Sequence, residues 1–154
     1  MILTRQQEVR VARPPLESFL RRVKSELGCG AAGVTVCLVS NAEIARMNVK
    51  FRKKKGPTDV LSFPAEKKWR VASGEWREKS TSKRRREVDD YLGDIAIAPS
   101  TARRYAKKNG RTLASELRVL ILHGVLHLLG YDHETDQGEM DKVEAKLRKR
   151  FGLA

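Results

Sequence analysis

The stretch "HGVLHLLGYDH", residues 123 to 133, holds all three histidines of the chain inside an apolar run. Extended toward the N-terminus it reads "LRVLILHGVLHLLG" from Leu117. There Leu117, Leu120, Ile121, Leu122, Val125, Leu126, Leu128 and Leu129 lie almost all round a helix instead of along one stripe. A helix that is apolar all round is buried all round, so the pattern predicts a central helix over 115–129 with the other elements wrapped around it. The run is too short, and too interrupted by His and Gly, to span a bilayer.

Residues four apart on an α-helix are separated by about 40° around the axis and about 6 Å along it, so His123 and His127 share a face and can share one ion. Gly130 can take the left-handed conformation that ends a helix, which returns His133 toward the same point. Neutral imidazole is the usual ligand of zinc. Three protein nitrogens leave a fourth position open, the arrangement of catalytic rather than structural sites. The same set can hold nickel, iron or manganese. Three histidines satisfied within a core or its rim is the plainer explanation, and it suits a lone histidine better than three in this spacing.

His at the first, fifth and eleventh positions with Gly at the eighth is also the register of the metzincin proteases, which carry Glu at the second position as general base. Here the second position is Gly124. Peptide hydrolysis therefore lacks the group that would take a proton from water. Asp132 and Glu134 lie close in sequence, but spacing alone does not decide whether either reaches the site.

The remainder reads as short elements around this helix. "PPLESFLRRVKSELG" places Leu16, Phe19, Leu20, Val23 and Leu27 at helical spacing after a proline start. "LTRQQEVRV" before it is a modest strand candidate. "GVTVCLVS", residues 33 to 40, is a β-branched strand followed by Asn41, a possible cap for the helix "AEIARMNVKF". "TDVLSFP" (58 to 64) and "LGDIAIAP" (92 to 99) are short strands, each stopped by a proline that cannot donate to a ladder. Helical patterns follow from Ser100 to Lys108 and from about Thr135 to Arg150. Residues 65 to 91 are polar and charged, with Trp69 and Trp76 on either side of a Ser-Gly turn signal and "KRRR" at 83 to 86. Such a segment can contact RNA through phosphates and base stacking, or be a solvated insertion.

One domain of 154 residues is expected, with that charged insertion at about 65–91. The fold class is α+β: a small mixed four-stranded sheet packed against about five helices, with the central buried helix carrying the metal. Lys and Arg number 32 against 19 acidic residues, a formal charge of +13, which favours a polyanionic partner, most commonly nucleic acid. Cys29 and Cys37 are too few for a disulfide framework and suit a reduced cytoplasm. "MILTRQQEVRVARPP" contains no apolar signal core, so neither secretion nor membrane insertion is expected.

"HGVLHLLGYDH", with "TDVLSFP", "LGDIAIAP" and the order "IARMNVKFRKKKGPTDVLSFP", resembles the YbeY family of bacterial metal-dependent endoribonucleases over roughly residues 34 to 133. The resemblance implies maturation of ribosomal RNA, notably the 3′ end of the small-subunit RNA, and ribosome quality control in the cytoplasm. It implies single-stranded ribosomal RNA and the ribosome or its small subunit as partners. His123, His127 and His133 match the family's metal ligands, with one zinc or another divalent transition ion expected, and Arg52 matches the arginine needed for cleavage. The segment 65 to 91 departs from the family pattern in being longer and more basic.

Cleaving a phosphodiester needs a nucleophile, a Lewis acid and a cation for the charge that grows in the transition state. The site residues expected to serve catalysis are His123, through the ion, and Arg52, whose planar guanidinium can hold a phosphate by two hydrogen bonds. Arg52 is equally readable as one member of the basic cluster with Lys53, Lys54 and Lys55. The polar set Thr58, Asp59 and Ser62 is read as turn and strand-end hydrogen bonding. Two other classes stay open: a non-catalytic RNA- or ribosome-binding module with a structural metal, and a metalloprotease.

Overall fold

The computed structural model describes residues 1–56, 58–65, 91–132 and 136–153. Among them the chain runs β1 (Ile2–Thr4), α1 (Arg13–Glu26), β2 (Gly33–Leu38), α2 (Asn41–Arg52), β3 (Val60–Pro64), β4 (Tyr91–Ile97), α3 (Pro99–Lys108), α4 (Leu113–Leu128) and α5 (Glu139–Arg150). The strands form one mixed sheet in the order β1-β2-β4-β3. β1, β2 and β4 are parallel, and β3 closes one edge antiparallel to β4. The expected α+β class, four strands and five helices are all present.

Strand alternation sends the side chains of β2 and β4 to two different cores. Val34, Val36, Leu38, Leu92, Ile95 and Ile97 face α1 and α4 in the main core, with Phe19, Leu20 and Val23 from α1. The other face buries Leu61 and Ala96 against Ile44 of α2 in a smaller cluster, with Met47 and Phe63 partly buried beside it. All eight apolar residues named for the central helix are buried, and five of them (Ile121, Leu122, Val125, Leu126, Leu128) are fully inaccessible. α4 therefore is the wall against which the sheet, α1, α3 and α5 pack.

Several boundaries differ from the sequence expectation for identifiable reasons. The first strand is only Ile2–Thr4, because beyond it Gln6 folds its side-chain amide back onto Val9 and closes a turn. The cap of α2 is Ser40, not Asn41: its hydroxyl accepts from the Glu43 amide at 3.1 Å, while Asn41 is the first helical residue and accepts from the Thr101 hydroxyl. The central helix begins two residues early, at Leu113, because the Thr112 hydroxyl accepts from the Ser115 amide. No disulfide joins Cys29 and Cys37. The segment expected to be an insertion, with Trp69, Trp76 and the run at 83 to 86, lies outside the described residues from 66 to 90.

β3 is an edge strand, and its proline is placed so that the ladder loses nothing. The Ala98 amide donates to the Asp59 carbonyl at 3.0 Å and the Ala65 amide to the Leu92 carbonyl at 2.9 Å. By alternation, residues 59, 61, 63 and 65 turn their backbone toward β4 and residues 60, 62 and 64 turn theirs outward. Pro64 thus lacks an N–H only on the open side, where none is needed.

Candidate metal centre

α4 ends as its sequence requires. Gly130 takes φ of 100°, its amide donates to the His127 carbonyl, and the Tyr131 amide donates to the Leu126 carbonyl, the pair of bonds that terminates a helix through a left-handed residue. The chain is turned back directly after the second histidine. His133, expected to complete the set, lies outside the described residues.

His123 and His127 stand one turn apart on the same face, ring centroids 4.6 Å apart, and their Nε2 atoms approach to 3.0 Å. Two ring nitrogens with lone pairs cannot face one another at that distance without a proton or a cation between them. Two Zn–N bonds of about 2.0–2.1 Å at a tetrahedral angle hold nitrogens roughly 3.3 Å apart, so the observed pair needs only a small opening to take an ion. Behind His123, its Nδ1 meets Oε1 of Glu144 on α5 at 2.7 Å. A carboxylate accepts, so Nδ1 carries the proton and Nε2 keeps its lone pair on the face shared with His127.

Glu144 is the residue that sequence spacing did not reveal. Burial pushes its carboxyl upward, but the hydrogen bond from His123 and the nearby Arg148 guanidinium help bring it below the ordinary glutamate value. Arg148, one turn on along α5, stands 3.9 Å from its second oxygen. A carboxylate behind a ligating imidazole fixes the ring's tautomer and orientation and raises its basicity. The only trace in the sequence is an i, i+4 Glu–Arg pair, which many solvated helices carry.

Gly124 explains the missing metzincin glutamate. A Cβ at this position would lie 2.8 Å from Cδ1 and 2.9 Å from Cγ2 of Ile95, which is fully buried on β4. The helix comes this close to the sheet because position 124 has no side chain. Its carbonyl also accepts from the Ser62 hydroxyl at 3.4 Å, tying the histidine turn to the edge strand β3. A general base cannot be placed there without lifting α4 off the sheet.

The polar set on β3 divides. Thr58 bonds the Asp59 carboxylate at 3.5 Å, as expected for strand-end pairing, and Ser62 reaches the histidine helix. Asp59 is within electrostatic reach of Glu116 and His123 on α4. Burial, reinforced by the negative charge of Glu116, holds its carboxyl above the ordinary aspartate value despite hydrogen bonds from the Asp59 and Val60 amides. Glu116, itself buried, is paired with Arg111 at 2.9 Å. Arg52 is exposed at the C-terminal end of α2, followed by Lys53 in the left-handed conformation. No helix among the described residues is long and apolar enough to cross a membrane.

Known proteins share both the sequence and the architecture. The family model described as endoribonuclease YbeY matches residues 2–152. The chain is 39% identical over 153 residues to endoribonuclease YbeY of Koribacter versatilis, covering 99% of this chain and 86% of that protein. It is 41% identical over 141 residues to that of Solibacter usitatus, covering 92% and 80%. The relative from Aquifex aeolicus is 35% identical over 148 residues, covering 95% and 85%. The solution structure of TM1509 from Thermotoga maritima superposes with a TM-score of 0.62 at 28% identity, covering 99% of this chain and 90% of that one. With nearly the whole chain matched by the family model and by these relatives, it belongs to the YbeY family of endoribonucleases, hydrolases whose substrate is RNA.

Proposed function

We propose that the chain cleaves single-stranded ribosomal RNA in a metal-dependent manner, maturing the 3′ end of the small-subunit RNA and acting in ribosome quality control in the cytoplasm. The observation that carries the metal dependence is the convergence of the His123 and His127 Nε2 atoms at 3.0 Å, with Glu144 holding the His123 proton on the far nitrogen. His133 is the third ligand, and zinc is the ion that best suits three imidazoles, though another divalent transition ion has the same donors available. When bound, the ion supplies Lewis acidity at a phosphate oxygen. The chain's own residues do the rest: Glu144 orients the imidazole, and Arg52 holds the phosphate and balances the charge that accumulates on it. The net charge of +13 supports a polyanionic substrate and a ribosomal partner.

The absence of a base at position 124 does not bar this chemistry, because RNA carries its own 2′-hydroxyl nucleophile. A 2′,3′-cyclic phosphate on the product would exclude direct attack by water as the first step.

The test is cleavage of a single-stranded ribosomal RNA fragment by the purified protein and by His123→Ala and Arg52→Ala, with metal content measured on the same preparations. Loss of cleavage in both variants, with metal retained only in the Arg52 variant, is the expected result. Equal residual nuclease in all three would refute the reading in favour of an RNA-binding module.

A further inference from the structure

The C-terminal end of α2 exposes an aromatic ring that core packing does not require. Phe51 leaves 55% of its surface in water. It is nevertheless held: its ring meets Phe63 of β3 edge-on, with centroids 5.1 Å apart and planes at 73°. Phe63 is part of the smaller core beneath α2, and its neighbour Ser62 bonds the Gly124 carbonyl of the histidine helix. A continuous line of contacts thus runs from the histidine turn through β3 to an exposed aromatic face.

The segment that carries that ring is strongly cationic. Residues 46 to 55, "RMNVKFRKKK", contain six basic residues and no acid. The Lys50 ammonium stands 5.4 Å from the Phe51 centroid. The turn that carries Lys53, Lys54 and Lys55 is a built loop: the buried Asn48 donates its side-chain amide to the Gly56 carbonyl at 3.0 Å, and its backbone carbonyl accepts from the Lys54 amide. An anchored aromatic ring beside an ordered row of cations is the pairing by which proteins hold single strands, bases stacking on the ring while the backbone follows the charges. A hydrophobic protein partner would have no use for the six charges, and a duplex would offer no base face to the ring.

We propose that Phe51 is the stacking platform for one unpaired nucleobase of the substrate, with Arg52 and the Lys53–Lys55 turn holding the adjoining phosphates. This rests on the endoribonuclease reading above and deepens it, since it supplies a physical origin for a preference for single strands. Phe51 is a binding residue here, touching a base and not the reacting bond.

The test is equilibrium binding of a short fluorescent single-stranded RNA to the parent, Phe51→Ala, Phe51→Leu and Phe51→Trp, over a range of salt concentrations. Loss of one stacked base weakens binding by about 5- to 150-fold, and the salt slope stays unchanged because no phosphate contact is lost. Phe51→Trp should bind as tightly as the parent or more so. Phe51→Leu, which keeps apolar packing on Phe63, should behave like Phe51→Ala, which separates stacking from any loss of folding. An RNA with one abasic position should lose affinity for the parent and lose nothing more in Phe51→Ala. In cleavage, KM should rise while kcat at saturation holds. Equal affinity of all four proteins, with the parent still cleaving, would overturn the stacking role alone and assign the ring to a protein contact. Failure of the parent itself to bind or cleave RNA would overturn the endoribonuclease reading and this one with it.

Discussion

Replacing Gly124 by alanine tests whether helix α4 is held at its depth by contact with Ile95. The new Cβ would lie 2.8, 2.9 and 3.1 Å from Ile95 Cδ1, Cγ2 and Cγ1. Carbon pairs rest at about 3.5–4.0 Å, so relief of roughly half an ångström or more is needed. Ile95 is fully buried and β-branched and has no free rotamer to retreat into. Overpacking of this kind costs about 1–3 kcal/mol. Exchanging glycine for alanine inside a helix returns about 1 kcal/mol. The net loss is therefore about 0–2 kcal/mol, and each kcal/mol lowers Tm by about 2–4 °C in a chain of this size. The sharper readout is a cycle with Ile95→Ala, which removes all three contacting atoms. In that background Gly124→Ala has only the helical gain and should stabilise by about 1 kcal/mol, giving a coupling of about 1–3 kcal/mol. Urea unfolding of the four metal-free proteins measures it. A coupling below about 0.5 kcal/mol, the level of independent sites, would refute the claim that the glycine exists for close approach.

Other outcomes follow from the same geometry. Glu144→Gln should weaken zinc binding about 10- to 100-fold in competition with a chelator, with the fold intact by circular dichroism, and unchanged affinity would remove Glu144 from the site's support. Arg52→Lys should cleave more slowly than the parent at equal metal content, because an ammonium cannot hold a phosphate through two parallel bonds; equal rates would mean that charge alone is needed. Asp59 keeps its proton to higher pH when folded than when unfolded, so the folded form binds more protons above pH 3.8 and stability falls as pH rises through the window up to the folded value. Asp59→Asn should therefore lose less Tm than the parent as pH rises above the ordinary aspartate value, and parallel profiles would contradict the burial effect. Ser40→Ala should cost about 1 kcal/mol through loss of the α2 cap, read as a Tm drop of about 2–4 °C.

The central helix was legible because burial on all sides leaves one unambiguous trace, an apolar run without a polar stripe, and all eight of its named residues are buried. The pairing of His123 with His127 was legible for the same reason, since helical geometry relates positions four apart without knowledge of the rest of the fold. Glu144 was not, because its approach to His123 depends on how α5 docks on α4, a tertiary fact spread over 21 residues of separation. Among the described residues a carboxylate that reaches the His123 imidazole comes from the next helix, a position that proximity in sequence does not reveal. The helix caps show the limit on a smaller scale. Ser40 and Asn41 are both good caps, and the choice between them is made by Thr101, sixty residues away, whose hydroxyl occupies the asparagine.

The order β1-β2-β4-β3 also sets a timetable for synthesis. While the first 65 residues emerge, β2 has only the three-residue ladder with β1 for company, and β3 has no partner at all. Leu16, Phe19, Leu20 and Val23 have no α4 to cover them, so the nascent chain carries an apolar face that invites chaperones. β4 then joins both strands at once, α4 closes the core, and α5 brings Glu144 last. A nascent or truncated chain without α5 therefore carries His123 without the carboxylate that fixes its ring.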